Sequence, residues 1–120
     1  MSLDYPVYKF KNWIDKYQIN WKSLSANENA IYLLMNNYDK INWKSLCRNT
    51  NKKAIELVSK RPEKIDWTLI SENGSAIELL EQNQDKINWS WLSLNPAIFE
   101  LDYEKMKKNK NYLNFFQEVQ

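Results

Sequence analysis

One short sequence unit recurs four times along this chain, and it restricts the possible folds more than any other feature. Each copy places Asn or Asp directly before Trp, and an aliphatic residue follows three positions after the Trp. The four Trp residues are 22, 24 and 22 positions apart. Self-similarity at such a period is typical of repeat proteins, whose neighbouring units stack into one continuous core. The Asn or Asp and the Trp of the four copies are Asn20 and Trp21, Asn42 and Trp43, Asp66 and Trp67, and Asn88 and Trp89.

The pattern within each copy predicts a pair of short helices. Asn and Asp are favourable N-caps, so the Trp is predicted to be the first helical residue. The Trp and the aliphatic residue three positions later share one helix face, and we expect both to lie in the core. A second block begins with Ala-Ile and predicts the second helix. The Asn between the two blocks is expected to end the first helix in the left-handed conformation and to cap the second.

These units predict an all-α, solenoid-like array of four αα-hairpin repeats of about 22 residues with helical caps, forming a single domain over residues 1–120. The repeats occupy residues 18–101. Residues 1–17 are predicted to be an N-terminal capping helix, because Phe10, Trp13, Ile14 and Tyr17 fall at helical spacing. Residues 102–120 are predicted to form C-terminal capping helices. A single Gly and three Pro also argue against turn-rich β folds.

The residue types present give little support to catalysis. The chain has no His and only one cysteine, Cys47, so metal ligands, cofactor ligands and an internal disulfide are not expected. Cys47 stands where the other copies have Ser, which indicates a small packing residue. A reactive thiolate would need Lys44 or Arg48 to lower its pKa. We therefore expect no enzyme, no cofactor, no membrane span, and an intracellular, reducing location rather than secretion.

Two features stand outside the repeat pattern and are candidate interaction residues. Trp91 replaces Ser23, Ser45 and Leu69 of the other copies and is expected to be partly exposed. Between Lys40 and Lys64 the chain carries eight basic and two acidic residues. The basic residues proposed to contact a partner are Lys44, Arg48, Lys52, Lys53, Lys60 and Arg61.

The fourth copy and the residues directly after it carry a resemblance to a known family. The unit runs from Asp85 to Glu100, with Ile87-Asn88-Trp89, Leu92-Ser93 and Asn95-Pro96, and is followed by Asp102-Tyr103 and Met106-Lys107. It resembles a tandem-repeat family of nucleocytoplasmic large DNA viruses, the giant viruses. The resemblance covers about residues 18–108. It implies a viral source, located in the virion or the host cytoplasm, and it implies no activity.

Together these features favour a non-enzymatic viral repeat protein. We expect a protein–protein interaction or structural module, packaged in the virion or binding a host factor, and compatible with self-association. The alternative is a nucleic-acid-associated protein that uses a basic face on the second repeat. The scarcity of Arg weakens this alternative, because Arg is the preferred reader of bases and phosphates.

Overall fold

The computed structural model of the chain describes residues 6–108, and all regular secondary structure in that range is helical. The prediction of an all-α repeat array is confirmed. Short 3₁₀ turns at Lys16–Gln18, Tyr38–Lys40, Pro62–Lys64 and Gln84–Lys86 lead into the four repeats. The α-helices are α1 (Trp21–Leu24), α2 (Ile31–Met35), α3 (Trp43–Leu46), α4 (Lys52–Ser59), α5 (Trp67–Glu72), α6 (Ile77–Glu81), α7 (Trp89–Leu92) and α8 (Tyr103–Lys108).

The first helix of every repeat begins at its Trp, as predicted. In each case the side-chain oxygen of the preceding residue accepts a hydrogen bond from the amide three positions further along, at 2.9 to 3.2 Å. This bond satisfies one of the amides that a helix leaves without a partner in its first turn. Because three of these helices are only four residues long, the cap is a large part of what defines them. The capping residues are Asn20, Asn42, Asp66 and Asn88.

The core runs through the middle of the array and is built from equivalent positions in successive repeats. The aliphatic residue after the Trp is fully buried in the second and third repeats, as Leu46 and Ile70. The second helices contribute one fully buried aliphatic side chain each, namely Leu34, Val58 and Leu80. Ala54 and Ala76 are also fully buried and let neighbouring helices approach closely. Helix α5 packs against α7, and α4 packs against the turn that precedes α6, so contacts pass from one repeat to the next.

A ladder of Asn side chains joins the repeats. The Asn49 amide group donates to the carbonyls of Ser25 and Asn27 in the first repeat, at 3.0 and 2.9 Å. The Asn73 amide donates to the carbonyls of Cys47 and Asn49, at 2.9 and 2.8 Å. Asn95 donates in the same way to the carbonyls of Ser71 and Asn73, both at 3.0 Å. All three donating side chains are buried, so each repeat is fixed to the one before it by two hydrogen bonds made away from water.

The same Asn residues also start the turn or helix that comes next. Each side-chain oxygen accepts a hydrogen bond from the amide two residues on, as Asn73 does from Ser75 at 2.9 Å. The predicted capping role is therefore confirmed. The predicted left-handed conformation is wrong, since no described residue has a positive φ. Asn73 and Asn95 are extended, with φ of −81° and −78°, because that geometry aims the amide group at the previous repeat.

A second contact repeats at each junction, through the small residue after each first helix. Ser25 Oγ accepts a hydrogen bond from the backbone amide of Asn42 at 2.9 Å, and Ser71 Oγ accepts one from the backbone amide of Asn88 at 3.0 Å. At the middle junction Cys47 Sγ takes this place and accepts from the Asp66 amide at 3.4 Å. Each junction thus carries three equivalent hydrogen bonds.

The N-terminal capping helix predicted over residues 1–17 is wrong for the part that the structure describes. Residues 6–15 are not helical, and a single 3₁₀ turn follows at Lys16–Gln18. Asp15 explains the interruption, because its carboxylate accepts hydrogen bonds from the Tyr17 amide and the Gln18 side chain. Such local side-chain bonds compete with helix formation. Trp13 and Tyr17 consequently remain exposed, at 79% and 88%.

The fourth repeat lacks the second α-helix that the hairpin model predicts. After Asn95 the chain forms only a 3₁₀ turn at Pro96–Ile98 and then starts α8. Glu100 stands where the other repeats have a Leu, and Asp102 caps the next helix by accepting from the Lys105 amide at 3.0 Å. Leu101-Asp102-Tyr103 therefore resembles the Ile-Asn-Trp sequence that begins a repeat, and it follows the fourth Trp sooner than the repeat period would place it. Helix α8 confirms a helical element after residue 102, and the further capping helix predicted around residues 112–119 lies outside the described residues.

Candidate functional site

In the fourth repeat the burial of the two Trp side chains is the opposite of the prediction. Trp21, Trp43 and Trp67 are half-buried and pack against the core, whereas Trp89, also predicted as core, is 65% exposed. Trp91, the predicted contact residue, is the one that packs against the core. The reason lies in the following return turn, which covers each earlier Trp and has no equivalent after Trp89 among the described residues.

The covering groups are basic side chains lying over the indole rings. Lys40 Nζ is 5.0 Å from the centre of the Trp21 ring, and Lys86 Nζ is 5.8 Å from that of Trp67. The Arg61 guanidinium is 5.8 Å from the Trp43 ring and 5.3 Å from the Tyr38 ring. Cations over aromatic faces gain electrostatic attraction, so these basic residues stabilise the return turns. Arg61, a proposed partner-binding residue, therefore has a structural role.

The remaining basic candidates line different concave surfaces. Lys53 and Lys60 line a groove beside α2 and α4, Arg48 lines a second cavity, and Lys52 lines a third. Lys44 is exposed on α3 and lines none of these. Lys53 also pairs with Glu56 at 3.3 Å. The basic run in the sequence is therefore distributed around the second repeat.

Cys47 is completely buried and serves the junction between the second and third repeats. Its sulfur accepts from the Asp66 amide and approaches the Lys64 carbonyl at 3.9 Å. Burial raises the pKa of the Cys47 thiol, and the nearby Asp66 carboxylate adds to that rise, while the Asp66 amide opposes it. The thiol is thus held neutral and inaccessible, as expected of a packing residue.

One concave surface, a groove beside α2 and α4, was not predicted from the sequence. This lateral groove has a volume of about 450 Å³ and lies between α2 and α4, with residues 6–8 forming part of its wall. Its apolar lining includes Tyr8, Tyr32 and Met35, which are 50%, 54% and 54% exposed. Charged side chains border it, namely Glu28, Lys53, Glu56 and Lys60. An apolar floor with a mixed charged rim is suited to an apolar side chain of a peptide.

A mismatch between repeats could have located this groove from the sequence. Tyr32 and Met35 lie two and five positions after the Ala that begins the second block. The third repeat has Glu78 and Glu81 at those positions, both exposed. The scaffold therefore accepts charged residues there, and large apolar side chains on the first repeat are not needed for the core.

Neither a cluster of metal ligands nor a membrane-spanning helix occurs in the described residues. Within residues 6–108 no group of three or more Cys, Asp or Glu side chains is placed to hold a metal ion. No helix in that range is long and apolar enough to cross a bilayer.

Comparison with known proteins adds no assignment to this geometry. The chain matches no protein-family model, no curated protein and no solved structure.

Proposed function

We propose that this chain is a non-enzymatic protein–protein interaction module of a large DNA virus, and that it holds an apolar segment of a partner protein in the lateral groove. The partner is a virion protein or a host factor. The observation that supports this proposal is the exposure of Tyr32 and Met35 in a groove of about 450 Å³. Large apolar side chains clustered in an exposed concave surface mark interaction sites more often than isolated ones do.

The geometry indicates what the partner contributes. The groove is wide enough for a bulky apolar anchor residue, and Lys60 and Glu28 border it. The ring of Tyr32 offers contact area with few rotatable bonds, so little conformational entropy is lost on binding. A short helical or extended peptide with one or two apolar anchors and flanking charged residues fits this surface best.

The test compares variants that the repeat itself makes tolerable. Tyr32→Glu with Met35→Glu introduces the residues that the third repeat carries at equivalent positions, so folding is expected to be retained. Affinity purification from infected cells, followed by mass spectrometry, identifies proteins bound by the wild type. Binding of a direct partner, measured with both purified proteins, should fall at least about tenfold in the double variant, since most binding energy resides in a few central residues.

Phe99→Glu is the matched control. Phe99 occupies the same repeat position as Tyr32 in the fourth copy, is 80% exposed and does not line the groove. Its replacement should leave partner binding unchanged. Equal loss of binding in both variants, or none in either, would rule out the lateral groove as the binding surface.

Nucleic acid is the less suitable ligand for this geometry. The basic candidates line separate cavities, and the Arg61 guanidinium lies over two aromatic rings. Phosphate-driven binding would weaken steeply as salt rises. Affinity for a DNA or RNA oligonucleotide measured across a salt series distinguishes the two functions, and tight, salt-sensitive binding would favour the nucleic-acid alternative.

A further inference from the structure

The two ends of the repeat array carry the unpaired halves of the junction that joins the repeats internally. At every inner junction the later repeat donates three equivalent hydrogen bonds, one from the backbone amide of its capping residue and two from the side chain of its ladder Asn. The earlier repeat accepts them at the side-chain atom and the backbone carbonyl of its small residue, and at the backbone carbonyl of its own ladder Asn. At the first two junctions the side chain two residues after the ladder Asn, Asn51 or Ser75, also donates to a carbonyl of the earlier repeat. The first repeat has no earlier neighbour in the described chain, and the fourth has no complete later one.

At the N-terminal end of the described array the junction donors are free. Within residues 6–108 the Asn27 amide group donates to no acceptor, although Asn49, Asn73 and Asn95 each donate twice. The backbone amide of Asn20 has no acceptor in that range either, whereas that of Asn42 donates to Ser25 Oγ. Asn20 and Asn27 are both exposed.

At the C-terminal end of the array the junction acceptors are free, as far as residue 108. Ser93 Oγ donates to the Trp89 carbonyl at 2.9 Å, as Ser71 Oγ does to that of Trp67. Unlike Ser71 Oγ, it accepts no amide in the described part of the chain, and the Ser93 carbonyl accepts no ladder Asn there. Exposed apolar side chains surround these groups, including Trp89 and Leu94, each 65% exposed.

We propose that two copies of this chain associate head to tail, the first repeat of one copy stacking on the fourth repeat of the other. In this contact the side-chain amide of Asn27 in one copy donates to the Ser93 and Asn95 backbone carbonyls of the other. The backbone amide of Asn20 in the first copy donates to Ser93 Oγ of the second. Three bonds between equivalent atoms also join the second repeat to the first, where Thr50 and Asn51 add two more.

The repeat spacing itself selects a second copy as the occupant. An unrelated partner would have to reproduce two side-chain donors and one backbone donor in the register of this repeat, and the chain's own N-terminal end already has them. Because the two contacting surfaces differ, the association does not close after two copies and can extend into a filament. Tyr32 lines both the lateral groove and the concave surface beside Asn27, whereas Ser93 lies in the fourth repeat and lines no part of the groove. A Ser93 variant therefore distinguishes stacking from binding in the groove.

The N-terminal segment bears on how tightly the copies can associate. Residues 8–10 and the first repeat line a half-open concave surface of about 360 Å³, whose lining includes Phe10, Leu24, Asn27 and Leu33. The Phe10 side chain is half-buried there. A second copy must displace this segment or pack beside it, so we expect association that depends on concentration rather than a permanent dimer.

Sedimentation velocity of the full chain, from micromolar concentration to about 1 mM, tests the proposal. The wild type should show a weight-average mass that rises with concentration beyond that of a dimer. Asn27→Asp keeps the hydrogen bond from the backbone amide of Asn29. It replaces the side-chain NH₂ donors by a carboxylate that would face the Ser93 and Asn95 carbonyls of the other copy. Ser93→Lys places a long side chain over the acceptors. Each variant should remain monomeric, with an association constant lowered at least about tenfold.

Mixing the two blocked variants gives the decisive readout. Asn27→Asp retains a free C-terminal end and Ser93→Lys a free N-terminal end, so their mixture should form a dimer with one copy of each and nothing larger. Gln82→Glu gives the same change of charge at an exposed position of the third repeat, away from both ends, and this variant should associate like the wild type. Circular dichroism verifies that every variant is folded.

Three results would overturn the proposal. The first is a wild type that stays monomeric at about 1 mM. The second is a blocked variant that still self-associates, which would indicate contact between like ends. The third is a Ser93→Lys variant that melts at a much lower temperature than a monomeric wild type, because this would show that residues 109–120 of the same chain cover the C-terminal end.

Discussion

At the scale of single residues, the buried Asn ladder sets the register between repeats. An apolar side chain could fill the same space in several ways, but an Asn amide must find two acceptors or lose free energy on burial. Asn73 meets this requirement through two carbonyls of the previous repeat and one amide of its own turn. No buried side-chain nitrogen or oxygen in the described residues is left without a partner.

Asn73→Ala should therefore lower the free energy of unfolding by about 3–4 kcal/mol, because two buried carbonyls lose their donors and the turn loses its cap. Urea denaturation followed by circular dichroism measures this. Asn27→Ala is the matched control, since Asn27 makes only the capping bond with the Asn29 amide among the side-chain bonds of residues 6–108. It should cost about 1 kcal/mol or less at low protein concentration. Equal effects at both positions would show that the ladder does not stabilise the stack.

Cys47 gives a prediction with a defined pH dependence. Cys47→Ser should change stability at neutral pH by less than about 1 kcal/mol, because Ser25 and Ser71 accept the equivalent amide at the other junctions. Burial raises the pKa of the folded thiol above its ordinary 9.0. The neutral thiol's contribution is thus fully present below pH 9 and is lost as pH rises, when the unfolded thiol ionises first.

The wild type should consequently lose stability relative to Cys47→Ser as the pH is raised from about 8 to about 10. Denaturation midpoints of both proteins across this range provide the measurement. Lys and Tyr residues titrate in both proteins, and their effects cancel in the difference. A difference that stays constant with pH would contradict the burial of the thiol.

At the scale of helices, the half-buried Trp residues connect each first helix to the following return turn. Trp43 packs against the core, and its ring meets Tyr38 edge-on at 5.3 Å with an interplanar angle of 73°. Trp43→Ala should cost about 2–4 kcal/mol, somewhat less than a fully buried Trp, since one edge of the ring is already solvated. Thermal or urea unfolding measures the loss.

Trp89→Ala provides the comparison on the same position of the fourth repeat. Trp89 is 65% exposed, so its removal should cost less than about 1 kcal/mol in the monomer. If Trp89→Ala were as damaging as Trp43→Ala, Trp89 would have to be covered in solution.

The helices show clearly what the sequence could and could not predict. Helix starts were predictable because Asn or Asp before Trp caps locally, without information from elsewhere in the chain. The Asn ladder was not, because a side chain that both caps its own turn and bonds the previous repeat has the same local pattern as a simple cap. Helical spacing over residues 10–17 was misleading, since Asp15 forms competing bonds with Tyr17 and Gln18.

The lateral groove and the different structure of the fourth repeat were not predicted, for a related reason. Aligning the copies emphasises what they share, whereas Tyr32, Met35 and Glu100 matter because they differ from their counterparts. Whether Trp89 or Trp91 is buried depends on which repeat covers it, and that is a property of position in the stack. A local sequence motif therefore does not determine which of the two Trp side chains is buried.

At the scale of the whole molecule, each repeat is stabilised by its neighbours, because two-turn helices are marginal alone. The four first helices offer an internal comparison. The amides of Leu24, Leu46, Ile70 and Leu92 donate to the carbonyls of their capping residues at nearly the same length, 2.8 to 2.9 Å. Their local hydrogen bonds are equivalent, and they differ in how many repeats pack beside them.

Amide hydrogen exchange should therefore rank these four sites by position. Leu46 and Ile70, with a repeat on each side, should exchange at least about tenfold more slowly than Leu24 and Leu92, because opening an inner repeat breaks two junctions and opening an outer one breaks one. Residue-resolved exchange by NMR at low protein concentration provides the measurement. Uniform protection at all four sites would mean that the array unfolds as one cooperative unit. Raising the concentration should slow exchange at Leu24 and Leu92 selectively if copies stack end to end, since only those sites then gain a neighbour.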